Sequence, residues 1–287
     1  MWSIIPEKHK KINQIRIFKR TNLATVKRDD KLVKSNKDNH MIIVNIPHSS
    51  VKLDFQDLFI CDIEEATSEA YKLADLYTDE MVFDNPRFIK LVAPISRLVV
   101  DTERFVDDQD EPASQYGMGV IYTHSCSGKI IKHSPDAKLR QELLDKFYYP
   151  HHNLLESITH KSLACNNHAI IIDLHSYPSS YRIGLQTDKQ PDICIGYEHP
   201  HYNKIIFDKI ADFCVRNGWS YGVNEPFAGS IVPERYYKNN PNVISFMIEI
   251  KRSLYMDEYT YQKKPEFEHL CREINRLLVD IDQIENQ

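Results

Sequence analysis

The chain has 287 residues, 42% of them hydrophobic and 27% charged, with a formal net charge of -5. That length and composition suit one large α/β domain, or two small ones, with a sizeable core and a surface ordinary for a soluble protein. No apolar run approaches about 18 residues, which excludes a hydrophobic transmembrane helix.

The N-terminus, "MWSIIPEKHKK", lacks the long apolar core and small-residue cleavage site of a signal peptide. Six cysteines, Cys61, Cys126, Cys165, Cys194, Cys214 and Cys271, stand singly with no CxxC pair. Reduced thiols in a cytoplasmic protein are expected, rather than a disulfide framework or a thiolate zinc site. Charge is uneven. Residues 1–40 carry a net +7, leaving -12 for the rest. The first 40 residues are read as a basic, solvated N-terminal extension ahead of a catalytic domain at 41–287. A basic arm can meet nucleic acid or anionic lipid. Here it lacks an interleaved pattern of stacking aromatics, and the body is acidic, so neither a nucleic-acid nor a membrane partner is expected.

In chain order, "MIIVNIP" (41–47) reads as a buried strand stopped by Pro47. Residues 61–83, rich in Ala, Glu and Leu, read as one helix. Two strands follow, 87–94 and 96–103. Residues 106–134, with Asp, Gly, Pro and Ser, read as a long irregular loop expected to border a substrate. Residues 135–163 read as helical with a break at Pro150. "HAIIIDLHS" (168–176) and "DICIGYE" (192–198) are strands. A helix at 201–218 stops at Gly218. A strand at 242–255 leads into a turn, and an amphipathic helix at 265–282 closes the domain. Strands alternating with helices predict a mixed, mainly parallel sheet covered by helices.

Ligands of such sheets bind beyond the carboxyl ends of the strands. One strand ends at His48. Another ends in "DLHS", with Asp173, His175 and Ser176. "VISFMIEIKR" carries Glu249, Lys251 and Arg252, and "SRLVVDTER" carries Arg97, Asp101 and Arg104. A single histidine at a strand end is commonly structural. Two on separate buried strands, with acids nearby, point to a site. Two imidazoles and a carboxylate form a catalytic zinc set that leaves one position open. His48 and His175 are the candidate histidine ligands. Asp75 or Asp79, one helical turn apart in "ADLYTDE", is the acid. Glu249 is the candidate general base. A serine nucleophile in "PHSS" is disfavoured, because adjacent residues do not supply Ser–His geometry and no G-x-S-x-G elbow occurs.

Five segments in order, "NIPHSS", "DLYTD", "SRLVVDTER", "DLHS" and "EIKRSLYMDE", resemble N-formylglutamate amidohydrolases. The resemblance runs from about Ile42 to Glu258. It implies a three-layer α/β/α single domain of the zinc-carboxypeptidase-like kind. It also implies hydrolysis of N-formyl-L-glutamate to formate and L-glutamate, late in histidine degradation. On that likeness His48, Asp75 and His175 would hold zinc or another divalent metal, and Glu249 would be the base. Arg97, Arg104 and Arg252 would bind the substrate, a small anionic N-acyl amino acid whose carboxylates suit guanidinium forks.

The chain departs from the family at two points. Glu103 and Lys251 stand where asparagine is common. Glu103 would either add negative charge beside an anion pocket or point away from it. A catalytically silent, metal- or anion-binding relative with a regulatory role is the alternative function.

Overall fold

The computed structural model describes residues 42–180 and 190–284. The basic extension read at 1–40 lies outside the described residues.

The six strands are β1 (Ile42–Ile46), β2 (Phe88–Val92), β3 (Ala169–Tyr177), β4 (Ile193–Gly196), β5 (Tyr221–Val223) and β6 (Val243–Lys251). They form one sheet in the order β2-β1-β3-β6-β4-β5. All neighbours are parallel except β4 and β6. Every residue of β1 and β3 is buried, as expected of a parallel sheet covered on both faces.

Alternation of side chains sorts the two faces. Ile42, Val44 and Ile46 of β1, with Ile170, Ile172 and Leu174 of β3, pack with α5 (Lys204–Arg216) and α6 (Phe267–Asp282). Ile43, Ile171 and Val243 point the other way, against Leu155 of α4 (Tyr149–Asn166). This is a three-layer α/β/α arrangement, with the mixed, mainly parallel sheet expected from the sequence.

Four elements differ from the sequence reading. Residues 61–83 form two helices, α1 (Ile63–Leu73) and α2 (Thr78–Met81), separated by a turn in which Tyr77 has φ 69°. The backbone leaves the helix there because Asp75 N–H donates to the His48 carbonyl at 2.9 Å. Residues 96–103 are buried turns rather than a strand. Val99 and Val100 N–H both return to the Ser96 carbonyl, so the apolar run is buried without a ladder partner. Pro150 does not break its helix. It sits in the first turn of α4, directly after a π-turn (Leu144–Tyr148) that continues from α3 (Ala137–Leu143). A proline is tolerated there because its absent N–H falls where the ladder is already irregular. β5, three residues on the sheet edge, has too short a pattern to read in advance.

The long loop 106–134 is packed in part. Val120, Ile121, Tyr122 and Ile131 are buried, and Asp101 N–H donates to the Val120 carbonyl at 2.9 Å. Gly117, with φ +70°, permits its turn, since a Cβ there would lie 1.9 Å from the His124 ring.

Lys132 of this loop is 1% exposed, with its ammonium donating to the Leu98 carbonyl above the Phe59 ring. Burial pushes it down to about 7. The unfolded lysine stays protonated to about pH 10.4, so between these values unfolding takes up a proton and stability rises with pH. In Lys132→Met that contribution disappears. Denaturant midpoints should show the variant's advantage over wild type largest below about pH 7, shrinking steadily towards pH 10. A gap independent of pH would show that Lys132 does not titrate with folding.

Candidate active site

The site lies beyond the carboxyl ends of β1, β3 and β6. Asn45 pairs in register with Asp173, and His175 with Glu249. Successive same-face residues two apart put Asn45, Asp173, His175 and Glu249 on the α4 side of the sheet. His48 lies just past Pro47, where β1 ends. The turn before α2 delivers Asp75 against it.

Asp75 is the meeting point. Its Oδ2 lies 3.2 Å from His175 Nδ1 and 3.6 Å from His48 Nδ1. Its Oδ1 accepts from Arg252 Nη2 at 3.0 Å. Arg252 also donates to the Lys72 carbonyl at 2.7 Å and to Ser176 Oγ at 3.3 Å. Asp79 is half-buried in the first turn of α2, one turn further on.

Each imidazole turns its other nitrogen to carboxylates. His48 Nε2 is 2.8 Å from Asp101 Oδ1. His175 Nε2 lies 3.1 Å from both Glu103 Oε2 and Asp173 Oδ1. Asp101 is held in turn: Arg97 Nε and Nη2 donate to its Oδ2 at 3.0 and 2.8 Å, and Tyr122 Oη donates at 2.9 Å. Arg104 is looser. Its Nη2 is 3.5 Å from Tyr122 Oη, its Nη1 is 3.7 Å from Glu111, and its Nε is buried without a hydrogen bond. The loop expected to border a substrate therefore contributes Tyr122 and Glu111 to the surroundings of the arginines. Lys251 is tied to Asp192.

The titratable groups respond to this crowding. Burial pushes the Asp75 carboxyl up, but the hydrogen bond from His175 and the nearby His48 ring outweigh it and hold the group far below the usual carboxylate range. Burial acts likewise on Asp101, where Arg97 and His48 win. For His175, burial favours the neutral ring but Glu103 and Asp173 override it, raising it well above its ordinary value. Glu103 is raised by burial and then by Asp173 beside it. Burial pushes Glu249 up to about 7, and its Oε2 is buried with no hydrogen-bond partner.

These atoms suit a divalent metal. Ligand atoms about 2.0–2.1 Å from a tetrahedral zinc stand roughly 3.3 Å apart. The 3.2 and 3.6 Å separations of Asp75 Oδ2 from the two Nδ1 atoms match that spacing. His48 Nδ1 has no hydrogen-bond partner, although it is buried. Metal-bound histidines commonly give their second nitrogen to a carboxylate, as His48 does here, whereas His175 Nε2 meets its two carboxylates without a hydrogen bond. A second grouping exists, since one donor atom from each of His48, Glu103 and His175 lies within 4.8 Å of the others. Either Asp75 or Glu103 can supply the acid.

The family model for N-formylglutamate amidohydrolases matches residues 40–256, about three quarters of the chain. The chain belongs to the N-formylglutamate amidohydrolase family. It is accordingly a hydrolase acting on an amide. Among solved structures it is similar to an N-formylglutamate amidohydrolase from Ralstonia eutropha, with TM-score 0.77 and 19% identity over 87% of this chain and 95% of that one. It is also similar to the gene product Atu2144 from Agrobacterium tumefaciens, with TM-score 0.59 and 16% identity over 86% and 92%. At these identities the likeness establishes the fold. Comparison with curated proteins returns no match.

The N-formylglutamate amidohydrolase signature residues named from sequence thus gather at one end of the sheet, with three additions. Asn45 donates Nδ2 to Glu103 Oε1 at 3.0 Å and to Asp173 Oδ1 at 2.8 Å. His151 Nε2 donates to Asn45 Oδ1 at 2.9 Å, and Tyr122 caps Asp101. Asn45 carried a readable signal, a lone amide inside the apolar run "MIIVNI". His151 and Tyr122 carried none, lying on a helix and a loop remote in sequence.

Removing the Asp75 charge leaves Arg252 buried without its acid. Asp75→Asn is expected to lower stability by about 3 kcal/mol, and Asp79→Asn by less than about 1 kcal/mol, in equilibrium denaturation. Equal losses would deny Asp75 its central place.

Proposed function

We propose that this chain hydrolyses the amide of N-formyl-L-glutamate, or of a closely related N-acyl amino acid, releasing formate and the free amino acid. His48, Asp75 and His175 would hold a divalent metal, with zinc the first choice. The single observation that carries this reading is the convergence of His48 Nδ1, Asp75 Oδ2 and His175 Nδ1 beside the unpartnered Glu249 carboxyl, in a chain of this family.

When bound, such a metal supplies Lewis acidity towards a carbonyl oxygen and makes water a better nucleophile at neutral pH. The remaining work belongs to the side chains. Glu249, poised near 7 by burial, takes a proton from the attacking water at its free Oε2. It then returns that proton to the amide nitrogen, which leaves as the amino group of the product. Asp101, anchored by Arg97 and Tyr122, keeps His48 from turning.

Arg104 and Arg97 are assigned to the carboxylates of the substrate. Arg104 is the stronger case, with a side chain 29% exposed and an Nε that makes no hydrogen bond, only a 3.6 Å ion contact with Asp101. Arg252 is assigned to holding Asp75, since its donors already go to Asp75, Lys72 and Ser176. On family grounds alone we also infer a place in histidine degradation in the cytoplasm. Among the described residues no helix is long and apolar enough to cross a membrane.

Two tests follow from these roles. His48→Ala or His175→Ala should reduce bound zinc to a small fraction of wild type by elemental analysis. Full stoichiometry in both would remove the metal reading. Formate release from a panel of N-formyl and N-acetyl amino acids reads the chemistry. There, Glu249→Gln should keep its metal and melting temperature while kcat falls by about 10²–10⁴-fold, the range for a lost general base. A stable, fully active Glu249→Gln protein would take the base role from this residue.

A further inference from the structure

Glu103, marked in the sequence reading as a departure from the resembled family, does not turn away from the site. Its Oε2 lies 3.1 Å from His175 Nε2, and Asp173 Oδ1 lies 3.1 Å from the same nitrogen. Two carboxylates so close repel one another. Asn45 offsets this by donating one amide hydrogen to each, at 3.0 and 2.8 Å. The amide cannot be reversed without turning its oxygen onto both acids. Its orientation is further secured by His151, whose Nε2 donates to Asn45 Oδ1 at 2.9 Å. Burial pushes His151 down to about 3, so it remains a neutral ring with its hydrogen on Nε2. The order of donors is thus set along the whole chain of contacts, from His151 through Asn45 to the two acids.

We infer that Glu103 is a positioning residue: with Asp173 and Asn45 it forms a two-carboxylate clamp on His175 Nε2 that fixes the ring and presents Nδ1 towards Asp75. This rests on the proposal that His48, Asp75 and His175 hold a metal. Both contacts to Nε2 are charge contacts, and neither oxygen is aligned for a hydrogen bond with it. Two negative oxygens at one edge of the ring still attract that edge electrostatically and favour the tautomer whose hydrogen is on Nε2. They also make Nδ1 more basic, which strengthens it as a donor atom. Glu103 then serves the histidine, not a substrate carboxylate.

The experiment compares zinc affinity in wild type, Glu103→Gln and Glu103→Ala, measured by competition against a chromophoric chelator, with apoprotein melting temperatures alongside. Cobalt(II) is added to each protein to read the donor set from its visible absorption bands. Glu103→Ala is expected to weaken zinc binding about 10–100-fold, the usual cost of losing a contact that supports a metal ligand. Glu103→Gln keeps volume and one acceptor oxygen, so it should fall between alanine and wild type. It also reads the effect if the alanine variant does not fold. Cobalt band positions should match wild type in both, whereas Asp75→Asn should shift them.

Wild-type affinity in both Glu103 variants would overturn the clamp while leaving the metal site standing. A cobalt spectrum shifted in Glu103→Gln as in Asp75→Asn would also overturn it, because Glu103 would then be a ligand itself. A wild-type protein that holds no zinc would overturn the metal proposal, and the clamp with it.

Discussion

The structure turns on the gathering of five carboxylates, the buried Asp75, Asp101, Asp173 and Glu249 and the half-buried Glu103, around two imidazoles at one end of the sheet. Each charge taken out of water costs several kcal/mol unless it is compensated. Three arginines, Arg97, Arg104 and Arg252, are close enough to help. That leaves an excess of two acids, and the carboxyl groups sort themselves accordingly. Asp75, Asp101 and Asp173 lie below their ordinary values, whereas Glu103 and Glu249 lie above. Both His48 and His175 are raised as well. A divalent cation has the charge to compensate the acids left in excess. Metal binding at such a site releases protons and weakens as pH falls.

This constraint shapes the backbone as well as the side chains. Asp75 reaches the imidazoles only because the helix after Leu73 is abandoned for a turn, with Asp75 N–H secured to the His48 carbonyl. The apolar run around Val99 is denied a strand because Asp101 and Arg97, two residues to either side, must fold back onto one another. Both departures put ordinary local preference second to the pairing of a buried charge. They occur at the site and not in the layers beneath it, as expected where function overrides local consistency.

Much of the frame was legible in the sequence because it rests on period. β1, β3 and β6 are continuous apolar runs, and the strand ends that follow from them locate His48, His175 and Glu249 without any structure. α6 is legible from its apolar stripe. Legibility fails where the determinant is a contact distant in the chain. Nothing in "YKLADLYTDE" announces that the helix breaks, because the partner of Asp75 N–H is the carbonyl of His48. Residues 96–103 have a strand's composition but no neighbour to pair with. The π-turn before Pro150 is a property of the backbone, with no residue type that marks it. Glu103 was visible as a departure from the family, yet its direction was not. That direction depends on Asn45 and Asp173, on two strands distant from it in sequence.

The three arginines show how the same residue type is divided between architecture and recognition. Their side chains are 7%, 16% and 29% exposed for Arg252, Arg97 and Arg104. The order follows how completely each guanidinium is satisfied by the protein. Arg252 is ringed by an acid, a carbonyl and a hydroxyl, so drawing it towards a substrate would strip Asp75 of its partner. Arg97 is bound through two nitrogens to Asp101, which in turn fixes His48, so its contact with a ligand would be felt by the histidine. Arg104 has long contacts and a buried Nε with no hydrogen bond, a state that costs energy until an acceptor arrives. A substrate carboxylate meeting Arg104 supplies that acceptor and, at Nε, competes only with a long, 3.6 Å contact to Asp101. Selectivity for the acyl amino acid can therefore change around Arg104 while the carboxylate–imidazole frame is kept intact.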